Sequence, residues 1–213
     1  MIEPTSKPRI YEIDLLRFLA ALSVIFFHYS FRGYRADNLT TMPYPLLEVP
    51  AMYGYLGVEM FFMISGFVIL LNTHNRSVFT FLILRISRLY PAFWLCCTLT
   101  FICTKFLGAP VYSATFRQYL LNMTMASDFW GVPSIDGVYW SLFIELRFYA
   151  LVALLLCFRQ IHRAEFFLLT WLTIAWLQEL SPIRILRDVF LVDFAAYFIA
   201  GALCFFIWQQ GVS

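Results

Sequence analysis

Charge is scarce in this sequence. Lys and Arg number 15 and Asp and Glu 13 among 213 residues, or 13% of the chain, where a soluble domain carries ~25%. With 62% of residues hydrophobic and a mean hydropathy of +0.75, that shortage excludes an ordinary soluble fold and makes the lipid bilayer the first partner. The net charge of +2 is too small to attract a nucleic acid. Cysteine is also sparse: Cys96, Cys97, Cys103, Cys157 and Cys204 all fall in apolar stretches. An odd number of buried thiols gives no disulfide framework and no metal-ligand spacing, so they read as packing residues, and no metal is expected. Internal repeats and low-complexity tracts are missing too. The first apolar stretch carries an Arg and lacks a small-residue cleavage site, so it is expected to be a span, not a removed signal peptide. What is plentiful is aromatic surface, 20% of the chain with 24 Phe, which suits lipid-facing helices and interfacial belts.

The fold class expected from this pattern is all-α, a polytopic transmembrane bundle of about six spans, over roughly 14–31, 53–71, 89–107, 139–158, 165–180 and 190–208. Most reach the ~17–25 residues needed to cross the hydrocarbon; 165–180 is short and bounded by Glu165, Glu179 and Pro182. Met42-Pro43-Tyr44-Pro45 and Gly108-Ala109-Pro110 break the chain, and Phe116–Leu121 reads as a short interfacial helix within the longest connection, 108–138. With the N-terminus inside, Lys7, Arg9, Arg76, Arg85, Arg88, Arg159 and Arg163 face inward and Arg32, Arg35, Lys105, Arg117, Arg184 and Arg187 outward. The bias is small, and the N-terminus is placed in the cytoplasm because the inner cations cluster at the membrane surface. The Asn38 and Asn122 sequons then face outward, and chance accounts for both.

Arg17 and His28 lie inside the first span. An Arg there costs at least ~2.5–3.5 kcal/mol on insertion scales, so it marks function unless it snorkels to the surface. Eleven residues at ~100° each return His28 to the face of Arg17, roughly 16 Å away along the axis. Asp14 precedes Arg17 by three positions and partly neutralises it. A second group, Arg85 and Arg88, is one helical turn apart just before Pro91, with Arg76 nearby. Two guanidinium forks at a membrane surface suit a multivalent phosphate, or simply anchor the third span. A third group, Ser141, Glu145 and Tyr149, repeats at i, i+4 as one polar stripe. Under the N-inside topology Glu145, His28 and Glu59 share a depth, so the three are expected to converge, either as a catalytic pocket with an oriented imidazole or as a structural polar cluster.

In order, Arg17 and His28, the stretch Gly54 to Phe67 with Glu59 and Ser65, then Arg85-Ile86-Ser87-Arg88-Leu89-Tyr90-Pro91, then Trp140-Ser141-Leu142-Phe143-Ile144-Glu145 resemble acyltransferase-3 membrane proteins. These are the O-acetylases of O-antigen, exopolysaccharide and Nod-factor type. Tyr197 to Leu203 resembles a late segment of the same family. The resemblance implies a membrane acyltransferase in the inner (plasma) membrane. Its co-substrate would be cytoplasmic acyl-CoA, with acetyl-CoA the expected donor, and its acceptor a hydroxyl of a carbohydrate or lipid-linked glycan, as in polysaccharide or lipopolysaccharide O-acetylation. It further implies that Arg85, Arg88 and Arg76 bind donor phosphates and that His28 deprotonates the acceptor or carries the acyl group transiently. Arg17 and Glu145 would complete the catalytic set, and Asp14, Glu59, Ser65, Trp140, Ser141 and Tyr149 would line the pocket. The ~16 Å between Arg17 and His28 is about the reach of an extended pantetheine arm.

Proteins of that family usually have about ten spans. The whole chain, 1–213, is therefore expected to be the N-terminal portion of such a domain: either a truncated or split gene product, or a fragment whose remaining helices come from elsewhere, a second chain among the sources. Two other functions stay open: a non-catalytic membrane fragment or assembly subunit, and a proton-coupled transporter relaying through Arg17, His28 and Glu59. A transporter should show paired halves with matching broken helices, and no such repeat is present.

Overall fold

The computed structural model describes residues 10–73 and 76–211. Lys7 and Arg9, counted above toward orientation, lie outside the described residues. Seven helices order the described residues: α1 (Tyr11–Arg35), α2 (Glu48–Thr73), α3 (Val78–Leu107), α4 (Phe116–Asn122), α5 (Tyr139–Cys157), α6 (Ala164–Leu180) and α7 (Arg184–Gln210). No strand occurs among the described residues. Five of these helices, α1, α2, α3, α5 and α7, are long and apolar enough to cross a membrane. The expected span over 165–180 is α6, whose 17 residues rise ~25 Å against a hydrocarbon core of ~30 Å.

Local chemistry sets the ends. Glu12 and Asp14 fall in the first turn of α1, where the helix dipole favours negative charge. Ser77 caps α3 by accepting from the Thr80 N–H at 3.2 Å, and Thr115 with Gln118 forms a capping box on α4. The third helix starts earlier than residue 89: its 30 residues run ~45 Å, through Pro91 and past the arginines before it. Proline is tolerated inside membrane helices because neighbouring groups re-satisfy the backbone it frees. In α7 the regular helix is interrupted at Phe190 and Leu191, and Leu191 takes a left-handed φ of 50°.

The chain divides into two compact units. The first takes the residues through Leu71, Ile174–Pro182 and Val192 onward; the second takes Asn72–Thr173 and Ile183–Leu191. In the first unit helices meet backbone to backbone. A Cβ on Gly201 would run into the Met63 carbonyl of α2, and one on Gly66 into the Phe198 carbonyl of α7, so two glycines open the same crossing from both sides. Phe62 closes beside it on Phe194 and Phe198, with ring centroids 5.3 and 4.9 Å apart. Near its start α2 crosses α1 in the same way, Gly54 against the Ser23 carbonyl and Gly57 against Ala20, and the Ser23 hydroxyl donates to Gly54 O at 3.3 Å.

The second unit packs α3, α4 and α5 around Phe93, Cys97, Met125 and Tyr139. Polar groups at its edge are matched. Trp94 Nε1 donates to Met123 O at 3.0 Å, Tyr90 to Thr124 O at 3.1 Å, and Thr98 pairs with the Tyr119 hydroxyl at 2.9 Å. Asn122 is 1% exposed. Its amide donates to Gln118 O at 2.8 Å and its carbonyl oxygen accepts from the Ile135 N–H at 3.0 Å. That Asn is a structural anchor for the following loop, which agrees with a sequon arising by chance.

Gly201→Ala should destabilise the protein by ~1–3 kcal/mol, the usual cost of overpacking a closed contact. Gly137→Ala, at a position with nothing within 4 Å of the new Cβ, should stay within ~0.5 kcal/mol of wild type. Thermal unfolding of the two variants in detergent measures the contrast, and equal midpoints would refute the crossing as a determinant of stability.

Candidate active site

Asp14, Arg17, His28, Glu59 and Ser65 belong to the first unit, and Arg76, Arg85, Arg88, Trp140, Ser141, Glu145 and Tyr149 to the second. In the first, the pairing read from spacing is present: Arg17 Nη1 lies 3.7 Å from Asp14 Oδ1. His28 has a setting that spacing did not announce. The α-helical hydrogen bonding of α1 stops at Phe26, and Phe27–Arg32 forms a π-helical turn. The Gly33 N–H donates to the His28 carbonyl, a reach of five residues. Such wide turns are rare and concentrate at functional sites. The ring is half-buried and meets Phe27 edge-on, centroids 5.3 Å apart.

Beyond this turn two ion pairs hold the chain that leads to α2. Arg32 Nε contacts Asp37 Oδ2 at 2.8 Å, and Arg35 Nε contacts Glu48 Oε1 at 2.5 Å. Glu59 and Ser65 are half-buried along α2, and Tyr197 of α7 interacts electrostatically with Glu59.

In the second unit the two arginines of α3 have different surroundings. Arg88 is exposed. Arg85 is only 7% exposed, because Phe81 and Tyr149 of α5 cover it, while Arg88, on the same side of the helix, is left uncovered. The Arg85 guanidinium sits over two rings, with Cζ 5.5 Å from the centroid of Phe81 and 5.7 Å from that of Tyr149. These rings meet edge to face at 6.2 Å. Arg85 Nε is buried with no hydrogen-bond partner. Tyr149, 4% exposed, donates its hydroxyl to Glu145 Oε1. The i, i+4 stripe on α5 thus yields one real pair. Its third member, Ser141, turns its hydroxyl back to Val138 O at 3.0 Å. Trp140 is exposed, and Arg76 is half-buried just before α3. Phe81 was not singled out from the sequence, although an aromatic four residues before Arg85 shares its helix face. Among the described residues no three His, Cys, Asp or Glu side chains gather as a metal-binding group.

A family described as an acyltransferase domain matches residues 10–212. The chain belongs to the acyltransferase-3 family. Nodulation protein 10 of Rhizobium leguminosarum bv. viciae is 30% identical over 163 residues, covering 67% of this chain and 43% of that protein. Peptidoglycan O-acetyltransferase OatA of Listeria monocytogenes is 26% identical over 235 positions, covering 95% of this chain and 35% of the relative. The regulator of hypoxia-inducible factor 1 of Caenorhabditis elegans is 25% identical over 175 residues, covering 68% and 33%. The chain therefore spans between 33% and 43% of the length of these relatives. No solved structure matches it. This acyltransferase-3 chain is a multi-pass membrane protein.

Proposed function

We propose that this chain carries the transfer chemistry of a membrane O-acyltransferase. It moves an acyl group, acetyl first among them, from cytoplasmic acyl-CoA to a hydroxyl of a cell-surface carbohydrate or lipid-linked glycan. The observation that carries the reading is His28: a half-buried imidazole on a π-turn within a membrane span, in a chain that matches an acyltransferase family over almost all its length. The Listeria relative, by its name an O-acetyltransferase of peptidoglycan, supports a glycan hydroxyl as acceptor. The setting of this reading is the inner membrane, which a cytoplasmic donor can reach, with the N-terminus in the cytoplasm.

In this reading His28 takes the proton of the acceptor hydroxyl as its oxygen attacks the thioester carbonyl carbon. The C–S bond breaks, the imidazolium returns the proton to the departing thiolate, and the products are an ester and free CoA. Arg17 lends positive charge to the span, moderated by Asp14. Arg88, exposed on α3, with Arg76 before it, offers planar donors to the phosphates of CoA. Glu145 supplies the carboxylate, and Glu59, Ser65, Ser141 and Trp140 contribute pocket surface within their own units.

His28→Ala should lower transfer by ~10²–10⁴-fold, the worth of a general base, with membrane insertion unchanged. Transfer of radiolabelled acetyl from acetyl-CoA into membrane glycans measures it, and retention of more than a tenth of wild-type transfer would refute the assignment. Arg88→Lys should weaken binding of coenzyme A by at least ~1 kcal/mol, because Lys keeps the charge and loses the fork. Titration of CoA onto the protein in nanodiscs checks this; an unchanged affinity would make Arg88 a topological anchor, since Lys and Arg serve that purpose equally.

A further inference from the structure

Arg85 is an expensive residue to bury. Its guanidinium stays charged at every accessible pH, and a lone charge in a low-dielectric setting costs several kcal/mol unless it is compensated. The compensation present is specific. Phe81 lies within α3 itself and Tyr149 comes from α5, each ring within 6 Å of Cζ, the range in which a cation is attracted by an aromatic face. The Tyr149 ring is fixed in turn by Phe81, edge to face, and by Phe148, whose ring is stacked on Trp171 with centroids 6.0 Å apart. The hydroxyl of that immobilised ring donates to Glu145, and the guanidinium interacts electrostatically with both the hydroxyl and the carboxylate. A side chain such as Glu has several rotamers of similar energy, and holding one of them requires just such a fixed donor and a nearby positive charge.

We infer that Arg85 and Tyr149 are positioning residues that hold the Glu145 carboxylate in one orientation for the transfer step, with Tyr149 as the direct link and Arg85 as the fixed charge behind it. The inference rests on the acyltransferase reading above and divides the labour of the arginine pair. The exposed Arg88 faces the donor, while the buried Arg85 serves the carboxylate and makes no phosphate contact. The alternative, in which both arginines grip phosphate, assigns Arg85 an effect on donor affinity that its burial between two rings argues against. No bond is made or broken by Tyr149 or Arg85; their contribution is geometric and electrostatic.

The test uses the full chain in membrane vesicles, with radiolabelled acetyl-CoA as the donor probe and endogenous membrane glycan as acceptor. Tyr149→Phe keeps the ring over Arg85 and removes only the hydroxyl. It should lower kcat at least tenfold while leaving the affinity for coenzyme A within twofold of wild type. Glu145→Gln should lower kcat as well, and the double variant Tyr149→Phe/Glu145→Gln should be no worse than Glu145→Gln alone, a coupling that a merely structural tyrosine would not produce. Arg85→Lys should follow Tyr149→Phe, losing kcat and not donor affinity. Wild-type kcat in Tyr149→Phe, additive losses in the double variant, or a tenfold weaker CoA affinity in Arg85→Lys would each overturn the inference. Absence of transfer by the wild-type chain would overturn the functional reading itself, and the inference with it, so the two failures are distinguishable.

Discussion

Helices in hydrocarbon gain little by hiding apolar side chains from lipid tails that are equally apolar. What remains is contact, and contact is closest where no side chain intervenes. The reciprocal meeting of Gly66 and Gly201, each lying against the other helix's backbone, is the constraint from which the first unit follows. It brings α2 and α7 near enough for Phe62 to lock against Phe194 and Phe198. It also fixes the height at which Glu59 and Ser65 stand on α2. The earlier crossing of α2 over α1, again at glycines, sets α2 against the helix that carries Arg17 and His28. The half-buried polar groups of this unit therefore sit on a frame whose spacing is dictated by backbones that approach closely at glycines.

The second unit solves a different problem, a permanent charge under a protein surface. Its answer is aromatic. Phe81 and Tyr149 face the Arg85 guanidinium, and Tyr149 spends its hydroxyl on Glu145. Elsewhere in the same unit, Trp94, Tyr90 and Tyr119 give their polar ends to carbonyls and a hydroxyl. The abundance of aromatic residues noted in the sequence is thus only partly a matter of facing lipid. Tyr90, Trp94, Tyr119 and Tyr149 are amphipathic joints, each with an apolar ring and one polar atom reaching a partner.

Much of this was legible from residue spacing, and the exceptions are instructive. Strong apolar runs located every long helix, and a three-residue interval correctly paired Asp14 with Arg17. The four-residue stripe on α5 holds the Glu145–Tyr149 pair, while Ser141 on the same stripe bonds backward to the Val138 carbonyl, as a short hydroxyl in a helix can. Periodicity could not separate Arg85 from Arg88: both lie within one turn, and only the helix packed against α3 decides which is buried. The start of α3 was placed late because Pro91 and the arginines look like a boundary, whereas a capped Ser77 carries the helix on. The π-turn at His28 had no sequence signal at all, since it arises from one extra residue accommodated in the backbone ladder and many sequences tolerate that. Chain-wide resemblance identified the family, while the immediate surroundings of each polar group required coordinates.

The first unit is also discontinuous: its early helices are completed by Val192 onward, with all of the second unit intervening. During synthesis α1 and α2 enter the bilayer long before their closing partner exists. Until it arrives, the Gly66 face of α2 is an open seam in lipid, and Glu59 stands without Tyr197. Contacts so distant in sequence form late and slowly. Biogenesis of this protein is accordingly a retention problem, in which α1 and α2 must be kept from pairing elsewhere until α7 emerges to claim them.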